Sequence, residues 1–216
     1  MNSVSQQIKT RRHLRTRGTR RRLNDIHNGI KLNTEATAAI LAPIYAALPD
    51  TKAIGQHNLA YGEVEWSTLK LMSQHAEKGI SGKFYDLGCG RGRAVLYMAL
   101  TGSFDLSVGV EVLPERISLA QQALSKLKLS IPSSQSNVRL YEASFLNPAF
   151  KYKDARLVFL SNMCFDIETQ DAIFAKLNIE MPKGSIVFCS KEPDVIPGAF
   201  EKVESPSSEI HILRHL

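Results

Sequence analysis

The chain has 216 residues, 44% of them hydrophobic and 22% charged, which is enough to bury one core, so we expect a single domain with an extension. Its three cysteines include no C-x-x-C pair, which argues against a disulfide framework or a zinc site and favours a reducing, intracellular setting. No apolar run approaches the ~18 residues of a membrane span, and the N-terminus lacks the apolar core of a secretory signal, so we expect a soluble protein.

The net charge of +6 comes from one end of the chain, where eight basic residues precede the first acidic one. Those eight are Lys9, Arg11, Arg12, Arg15, Arg17, Arg20, Arg21 and Arg22. Residues 1–24 have too few apolar side chains to offset the entropy of ordering, so we expect a basic tail that is disordered when unbound. We interpret it as an arm for nucleic acid or a nuclear-import signal; a solvated tail is the simpler alternative, and a mitochondrial transit peptide is the least favoured. We expect a nuclear location in a eukaryote and a cytoplasmic one otherwise.

Residues 25–58 are predicted to form a helical lead-in to the main domain. A helix is expected from Asn33 or Thr34 to about Leu48, with Pro43 kinking or dividing it. A second helix is indicated further on by apolar residues at helical spacing, which are Leu69, Met72 and Ala76.

From residue 83 onward, apolar strands alternate with helices, which is the pattern of parallel βαβ units. The predicted strands are 83–88, 106–111, 138–142, 156–160 and 185–190, and the predicted helices are 91–101, 114–129 and 166–181. The stretch 210–213 alternates like an edge strand. We therefore predict an α/β fold in which a mostly parallel, twisted sheet carries helices on both faces and ends in an antiparallel strand.

Glycines at alternate positions follow the first of these strands. Asp86 precedes Gly88, Gly90 and Gly92, and glycines allow a backbone turn to approach a ligand closely. The dinucleotide fingerprint is disfavoured because Arg93 stands where its third glycine would be. The remaining pattern, acidic-x-G-x-G-x-G, resembles motif I of the class I methyltransferases, which use S-adenosylmethionine. A strand-to-helix turn with incidental glycines is the alternative.

Ligands of open parallel sheets bind at the carboxyl ends of the strands, so the residues that end each strand are the candidates for a site. Glu111 ends the second strand, where its carboxylate can accept hydrogen bonds from both hydroxyls of a ribose. Ser144 and Phe145 follow the third strand and are candidates for contact with an adenine ring. Asn162 follows the fourth strand and is predicted to present its amide oxygen to the transferring methyl group or the incoming amine.

Five short segments occur in the order seen in the disruptor-of-telomeric-silencing (DOT) family, the non-SET histone-lysine methyltransferases. They are Tyr61-Gly62-Glu63, the loop from Asp86 to Gly92, Gly109-Val110-Glu111, Ser161-Asn162-Met163-Cys164-Phe165, and the run from Gly184 to Lys191. The chain resembles that family over roughly residues 59–192, and the resemblance implies a methyltransferase domain over residues 59–216 with a class I, Rossmann-like fold.

The resemblance also implies roles for individual residues. By position, the family's loop that closes over the cofactor corresponds to Tyr61, Gly62 and Glu63. Glu111 resembles the residue that binds the ribose, and Phe145 resembles a residue that contacts adenine. The floor of the family's lysine channel corresponds to Asn162 and Phe165. The predicted catalytic residues are Asn162, Tyr61 and Phe165. The predicted cofactor-binding residues are Tyr61, Glu63, Asp86, Gly88, Cys89, Gly90, Gly92, Glu111, Ser144, Phe145 and Asn162. No metal site is predicted.

The chain departs from the family pattern in several places. Ser144 stands where an acidic residue is usual, Ser161 where a second asparagine is common, and Arg93 where a neutral polar residue is usual. The segment 192–208 is short where the family has a long stretch lining the lysine channel.

The leading hypothesis is an S-adenosylmethionine-dependent methyltransferase of DOT type that acts on a protein lysine, foremost in a histone or nucleosome. In this hypothesis the basic tail contacts nucleic acid, and no membrane is involved. One alternative is a class I methyltransferase acting on a non-histone protein or a small molecule, which the short segment 192–208 favours. The other is an inactive, methyltransferase-like protein that binds nucleic acid.

Overall fold

The computed structural model describes residues 32–51, 62–76, 81–101, 104–131, 137–194, 198–205 and 207–216. The predicted basic tail and Tyr61 lie outside these residues. The helices are α1 Thr34–Ala46, α2 Trp66–Ala76, α3 Arg93–Thr101, α4 Pro114–Ser130 and α5 Ile167–Glu180. The strands are β1 Lys83–Leu87, β2 Leu106–Glu111, β3 Val138–Glu142, β4 Ala155–Leu160, β5 Ile186–Cys189, β6 Phe200–Val203 and β7 His211–His215.

The seven strands form one sheet in the order β3-β2-β1-β4-β5-β7-β6. The first five pair in parallel, and β7 pairs antiparallel with both β5 and β6. The chain leaves β1 toward β2 on one side and returns to β4 on the other, so the strand order reverses beside β1. Ligands of such sheets bind at this reversal, outside the carboxyl ends of the strands.

Helices cover both faces of the sheet, and the two-residue period of the strands decides which side chain faces which layer. Phe84 and Phe159 pack with buried residues of α1, α2, α3 and α4. Their neighbours Tyr85 and Val158 pack with α5 on the other face. The predicted α/β architecture is therefore confirmed, and β1, β4 and β5 each contribute to two separate apolar clusters.

Local sequence accounts for where several helices begin. Asn33 caps α1, its side chain accepting a hydrogen bond from the Ala36 N–H at 2.8 Å, and Asp166 caps α5 by accepting from the Thr169 N–H at 2.7 Å. Pro43 lies inside the continuous helix α1, so the prediction of a division at this residue is wrong. No helix within the described ranges combines the length and apolar character that crossing a bilayer requires.

The alternation of the last strand predicted a position at the edge of the sheet, and this prediction is wrong. β7 is flanked by β5 on one side and by β6 on the other, and β6 was not predicted from the sequence. Only Phe200 is buried in this four-residue strand, and the two charged residues after it, Glu201 and Lys202, are exposed. The sequence of β6 carries almost no strand signal of its own. The strand forms because β7 offers it a pairing partner.

The turn between β1 and α3 fits against β2 through a glycine that is not part of the turn itself. A Cβ on Gly109 would lie 2.8 Å from Cys89 Sγ, 2.8 Å from Val95 Cγ2 and 3.0 Å from Leu140 Cδ2. These neighbours belong to the turn, to α3 and to β3. The absence of a side chain at position 109 therefore lets the turn and α3 approach the sheet closely.

We expect Gly109→Ala to lower the free energy of unfolding by about 1–3 kcal/mol, because the added methyl group overpacks the contact between β2 and the turn. Urea unfolding followed by circular dichroism measures the effect. Gly198→Ala is the matched control, since no atom lies within 4 Å of a Cβ built there. Equal unfolding midpoints for the two variants would contradict this account of Gly109.

Candidate active site

A cavity of about 210 Å³ opens at the carboxyl ends of β1, β2 and β4, where the strand order reverses. The glycine turn forms one wall, and the segment that precedes α2 forms another. Its lining residues are Gly62, Glu63, Val64, Asp86, Gly88, Cys89, Gly90, Arg93, Ala94, Glu111, Val112, Arg116, Ser144, Phe145, Leu146, Phe159, Ser161, Phe165 and Thr169. Residues from widely separated parts of the sequence therefore meet at the predicted edge of the sheet.

The glycine turn has a backbone conformation that L-residues with side chains rarely adopt. Gly88, Gly90 and Gly92 have φ values of +90°, +53° and +79°. Gly88 and Gly90 line the cavity, whereas a Cβ on Gly92 would lie 3.1 Å from Cβ of Ala120 in α4. Two of the three glycines therefore border the ligand space, and the third allows α4 to pack against the turn.

Glu111 is fixed at the end of β2 by two backbone hydrogen bonds. Its Oε2 accepts from the Gly90 N–H at 2.9 Å, and its Oε1 accepts from the Leu113 N–H at 3.0 Å. Each carboxylate oxygen has a second lone pair, so both can still accept a hydrogen bond from a ligand. Because Glu111 lines the cavity, the pair of oxygens is suited to the two adjacent hydroxyls of a ribose.

Asp86 lies beside Glu111 on the cavity wall and is only 3% exposed. Burial, and then the nearby negative charge of Glu111, raise the pKa of Asp86 to about 8. No hydrogen bond to its carboxyl group is found among the described residues. A cationic ligand placed against this group would favour its ionised form.

Two stacked phenylalanines line the cavity. The rings of Phe145 and Phe165 stack with centroids 5.5 Å apart and planes inclined by 26°. Phe165 also packs across the glycine turn, since its Cζ lies 3.7 Å from a Cβ built on Gly88. An adenine ring cannot enter between rings at this spacing, so it has only the other face or the edge of Phe145 to contact.

Ser144 lies next to Phe145 on the wall of the cavity. Its Oγ accepts a hydrogen bond from the Leu146 N–H at 3.2 Å, and this bond shapes the turn after β3. Because a hydroxyl has one donor and two acceptor positions, it can still donate a hydrogen bond to a ligand nitrogen. The predicted contact of Ser144 with adenine stays a prediction.

Cys89 lines the cavity without a sign of reactivity. Burial raises the pKa of its thiol well above the usual range, so the group is neutral at physiological pH. The described residues contain no cluster of three or more His, Cys, Asp or Glu that could hold a metal ion.

Glu63 lines the cavity, but its carboxylate is engaged with the glycine turn. Its Oε1 accepts from Arg91 Nε at 2.8 Å, and its Oε2 forms an ion pair with Arg93. Glu63 is therefore placed at the predicted cofactor site, although its charged atoms are directed toward two arginines. From the sequence, Arg93 was evidence against a dinucleotide fingerprint and a departure from the family pattern, and its contact with Glu63 was not predicted.

Asn162 does not line the cavity. Its Oδ1 accepts from the Lys191 N–H at 2.9 Å, and its Nδ2 donates to the Lys191 carbonyl and to Gln170 Oε1, each at 2.8 Å. These bonds connect the end of β4 with the end of β5 and with α5, and the side chain is completely buried. The structure thus does not bring the predicted catalytic amide to the ligand space.

Strand alternation explains which side chain takes that place. Phe159 and Ser161 line the cavity, whereas Asn162 and Leu160 lie on the other side of β4. Sequence analysis had treated Ser161 only as a substitution, and counting in steps of two from Phe159 would have found it. The lining residues that the sequence analysis missed are Val64, Arg93, Ala94, Val112, Arg116, Leu146, Phe159, Ser161 and Thr169.

The residues fit S-adenosylmethionine, which combines a nucleoside with an amino acid that carries an ammonium group and a sulfonium. The glycine turn leaves space that side chains would fill, Glu111 has acceptors for a ribose, and Asp86 offers a buried carboxyl group for a cation. These features occupy neighbouring positions on one cavity wall.

We expect Asp86→Asn to stabilise the ligand-free protein at pH 8 but not at pH 4. Because the folded-state pKa of Asp86 is raised from 3.8 to about 8, the unfolded chain loses this proton first. The wild type therefore becomes less stable as pH rises through that interval, a loss the asparagine avoids. Thermal unfolding at both pH values measures the effect. At pH 8 the midpoint of the Asp86→Asn variant should be about 4 °C or more above that of the wild type. A change of ~1 kcal/mol in the free energy of unfolding shifts the midpoint by about 2–4 °C for a protein of this size. A pH-independent difference would contradict this role for burial.

Solved structures of other proteins share this fold. The yhhF protein of Escherichia coli, provisionally assigned as a methyltransferase, is 12% identical, with a TM-score of 0.57 over 77% of this chain and 98% of its own. An rRNA methylase from Streptococcus thermophilus is 12% identical, with a TM-score of 0.53 over 68% of this chain and 96% of its own. The HI0767 protein of Haemophilus influenzae, provisionally assigned as a methylase, is 13% identical, with a TM-score of 0.54 over 69% and 96% of the two chains. At these identities the likeness concerns the fold alone.

The sequence comparison is more specific. No curated protein matches the chain significantly. The family model described as "Histone methylation protein DOT1" matches residues 46–210, a longer stretch than the predicted resemblance. The match confirms the resemblance to the DOT family and, with the fold, S-adenosylmethionine as the cofactor of a methyltransferase. The chain belongs to the DOT1 histone methylation family.

Proposed function

We propose that this protein transfers a methyl group from S-adenosylmethionine to a lysine side chain of a histone or another nucleosomal protein. The observation that carries the proposal is the match of residues 46–210 to a histone methylation family. We assign four of the cavity's lining residues, Phe159, Ser161, Phe165 and Thr169, to an acceptor end.

The acceptor end is suited to an uncharged amine. Two of its four lining residues are phenylalanines and two carry hydroxyl groups, while the carboxyl groups of the cavity belong to other walls. A lysine with a pKa near 10.4 is about three units from neutral at physiological pH, so its deprotonation requires about 4 kcal/mol. The apolar rings of Phe159 and Phe165 disfavour the ammonium form and reduce that requirement.

The remaining work of the site is alignment. S-adenosylmethionine, when bound, supplies a methyl group on a positive sulfonium, and the transfer is an in-line displacement in which a C–N bond forms as a C–S bond breaks. Glu111 would hold the ribose and Asp86 the ammonium group of the cofactor. Ser161 Oγ would accept a hydrogen bond from an amine N–H and so direct the nitrogen lone pair toward the methyl group.

A non-histone acceptor is the second candidate. The connection from β5 to β7 contains only the short strand β6, so the described residues offer little wall beyond the 161–165 loop to enclose a long side chain. A rRNA methylase shares the fold, which makes RNA a necessary arm of any acceptor screen. The predicted basic tail is compatible with a nucleosome and with RNA alike.

We expect labelled S-adenosylmethionine to transfer its methyl group to histone lysines when nucleosomes, free histones, total RNA and cell lysate are offered in parallel. Glu111→Ala is the inactive control, because it removes the ribose ligand. Label found on RNA or on non-histone proteins alone would contradict a histone substrate and support the second candidate. A protein that labels none of the four would contradict the proposed activity.

We expect Ser161→Ala and Asn162→Ala to affect different properties. Ser161→Ala should leave the urea midpoint unchanged and lower the methylation rate about tenfold, which corresponds to the loss of one hydrogen bond of about 1.4 kcal/mol in the transition state. Asn162→Ala should lower the free energy of unfolding by about 2–4 kcal/mol, because it removes the three hydrogen bonds of a completely buried side chain, to the Lys191 backbone and to Gln170. The comparison uses the acceptor identified in the screen. A stable Asn162→Ala variant with no activity would restore Asn162 as the catalytic candidate.

A further inference from the structure

The carboxylate of Glu63 is held between two arginines of the glycine turn. Arg91 donates from Nε to Glu63 Oε1 at 2.8 Å, and Arg93 forms an ion pair with the other oxygen, Oε2. The side chains of Arg91, Glu63 and Arg93 are 7%, 17% and 17% exposed, so the three charges interact with little screening by solvent. We call Glu63, Arg91 and Arg93 the charge clamp.

Each arginine of the charge clamp also contacts a third part of the chain. Arg91 NH1 donates to the carbonyl of Pro49 at 3.0 Å, after α1, and Arg93 NH1 donates to the carbonyl of Val64 at 3.2 Å. The clamp therefore joins the glycine turn to the segments on both sides of residues 52–61. Guanidinium groups are suited to this task because each offers five N–H donors in a fixed plane.

Aromatic rings support the clamp from the helical layer. The Arg93 guanidinium lies 4.7 Å from the centre of the Trp66 ring and 5.4 Å from that of Tyr45. The Tyr45 hydroxyl also donates to the Arg91 carbonyl at 3.3 Å. These contacts restrict Arg93 to one side of the cavity and leave little freedom in the first turn of α3.

The clamp determines the position of one particular wall. Gly62, Glu63, Val64 and Arg93 line the cavity near the start of α3, whereas Glu111 and the 144–146 turn line the part that accommodates adenosine. Each residue of this second part ends β2 or follows β3, whereas Glu63 precedes α2. A change in the clamp should therefore alter the binding of the amino acid portion of the cofactor and leave the binding of its nucleoside portion intact.

We propose that Glu63, Arg91 and Arg93 are positioning residues that lock the 62–64 wall onto the glycine turn and so shape the subsite for the amino acid portion of S-adenosylmethionine. In this view Glu63 acts through the two arginines and does not contact the cofactor through its carboxylate. Removing its charge leaves two guanidinium groups close together without the carboxylate that both of them bind, and their repulsion displaces the wall.

The test compares two ligands that differ only in the portion concerned. S-adenosylhomocysteine carries the amino acid, and 5′-methylthioadenosine lacks it. By isothermal titration, Glu63→Gln should weaken binding of S-adenosylhomocysteine about tenfold, a change of ~1.4 kcal/mol, and change binding of 5′-methylthioadenosine less than about twofold. Retained binding of the second ligand also verifies that the variant is folded. Equal losses for both ligands would overturn the proposal in favour of general damage to the site.

Two controls sharpen the result. Glu65→Gln makes the same substitution two residues away on an exposed side chain and should change neither affinity. Glu201→Gln removes an exposed ion pair with Arg214 on the distant β6 and β7 and should likewise have no effect. A loss in either control as large as that in Glu63→Gln would overturn the proposal, because it would show a dependence on net charge.

A double-mutant cycle tests whether Glu63 and Arg93 act together. Arg93→Gln alone should weaken the binding of S-adenosylhomocysteine about tenfold. The double variant, Glu63→Gln with Arg93→Gln, should weaken it about tenfold to twentyfold, whereas two independent residues would give a loss of ~100-fold. A multiplicative loss would overturn the clamp. The inference rests on the cofactor and not on the acceptor, so it survives if the histone substrate is disproved. A wild type that does not bind S-adenosylhomocysteine would overturn both the clamp and the methyltransferase function.

Discussion

The hydrogen bonds between the glycine turn and the end of β2 are the constraint on which the rest of the site depends. The N–H groups of Gly88 and Cys89 both donate to the Val110 carbonyl, at 2.8 and 3.0 Å, and the Gly90 N–H donates to Glu111 Oε2. The turn is therefore fixed to the neighbouring strand by backbone and side chain together. With the turn in place, α3 begins at Arg93, the carboxyl groups of β1 and β2 meet, and the cavity has its floor.

Charged side chains are distributed unevenly around the cavity, and their burial strengthens the interactions between them. Asp86 and Glu111 place two carboxyl groups in the cavity, and the burial of Asp86, followed by the negative charge of Glu111, raises the pKa of Asp86. The carboxylate of Glu63, in contrast, binds two arginines of the protein itself. Aromatic and hydroxyl side chains complete the lining. A cationic cofactor and an uncharged nucleophile are the ligands that such a distribution favours.

The main elements could be predicted because their signals are local. The strands before each turn are apolar, Asn33 and Asp166 are good caps, and the glycines at 88, 90 and 92 stop a strand and start a helix. The failures share a different cause. β6 forms because β7 offers it a partner, which its own residues do not indicate. Asn162 was the candidate for its amide group and its place in the family pattern, but a shift of one position along a strand reverses the face that a side chain occupies, and Ser161 lines the cavity instead.

The sequence by itself determined the sheet edge, the glycine turn, the two carboxyl groups and the family, since each depends on residue types at short, fixed spacings. The tertiary structure decided what those residues contact. It paired Glu63 with arginines 28 and 30 positions later and bonded Asn162 to Lys191, placing Ser161 on the cavity wall instead. Such choices depend on distances between elements far apart in the chain, and a spacing pattern contains no information about them.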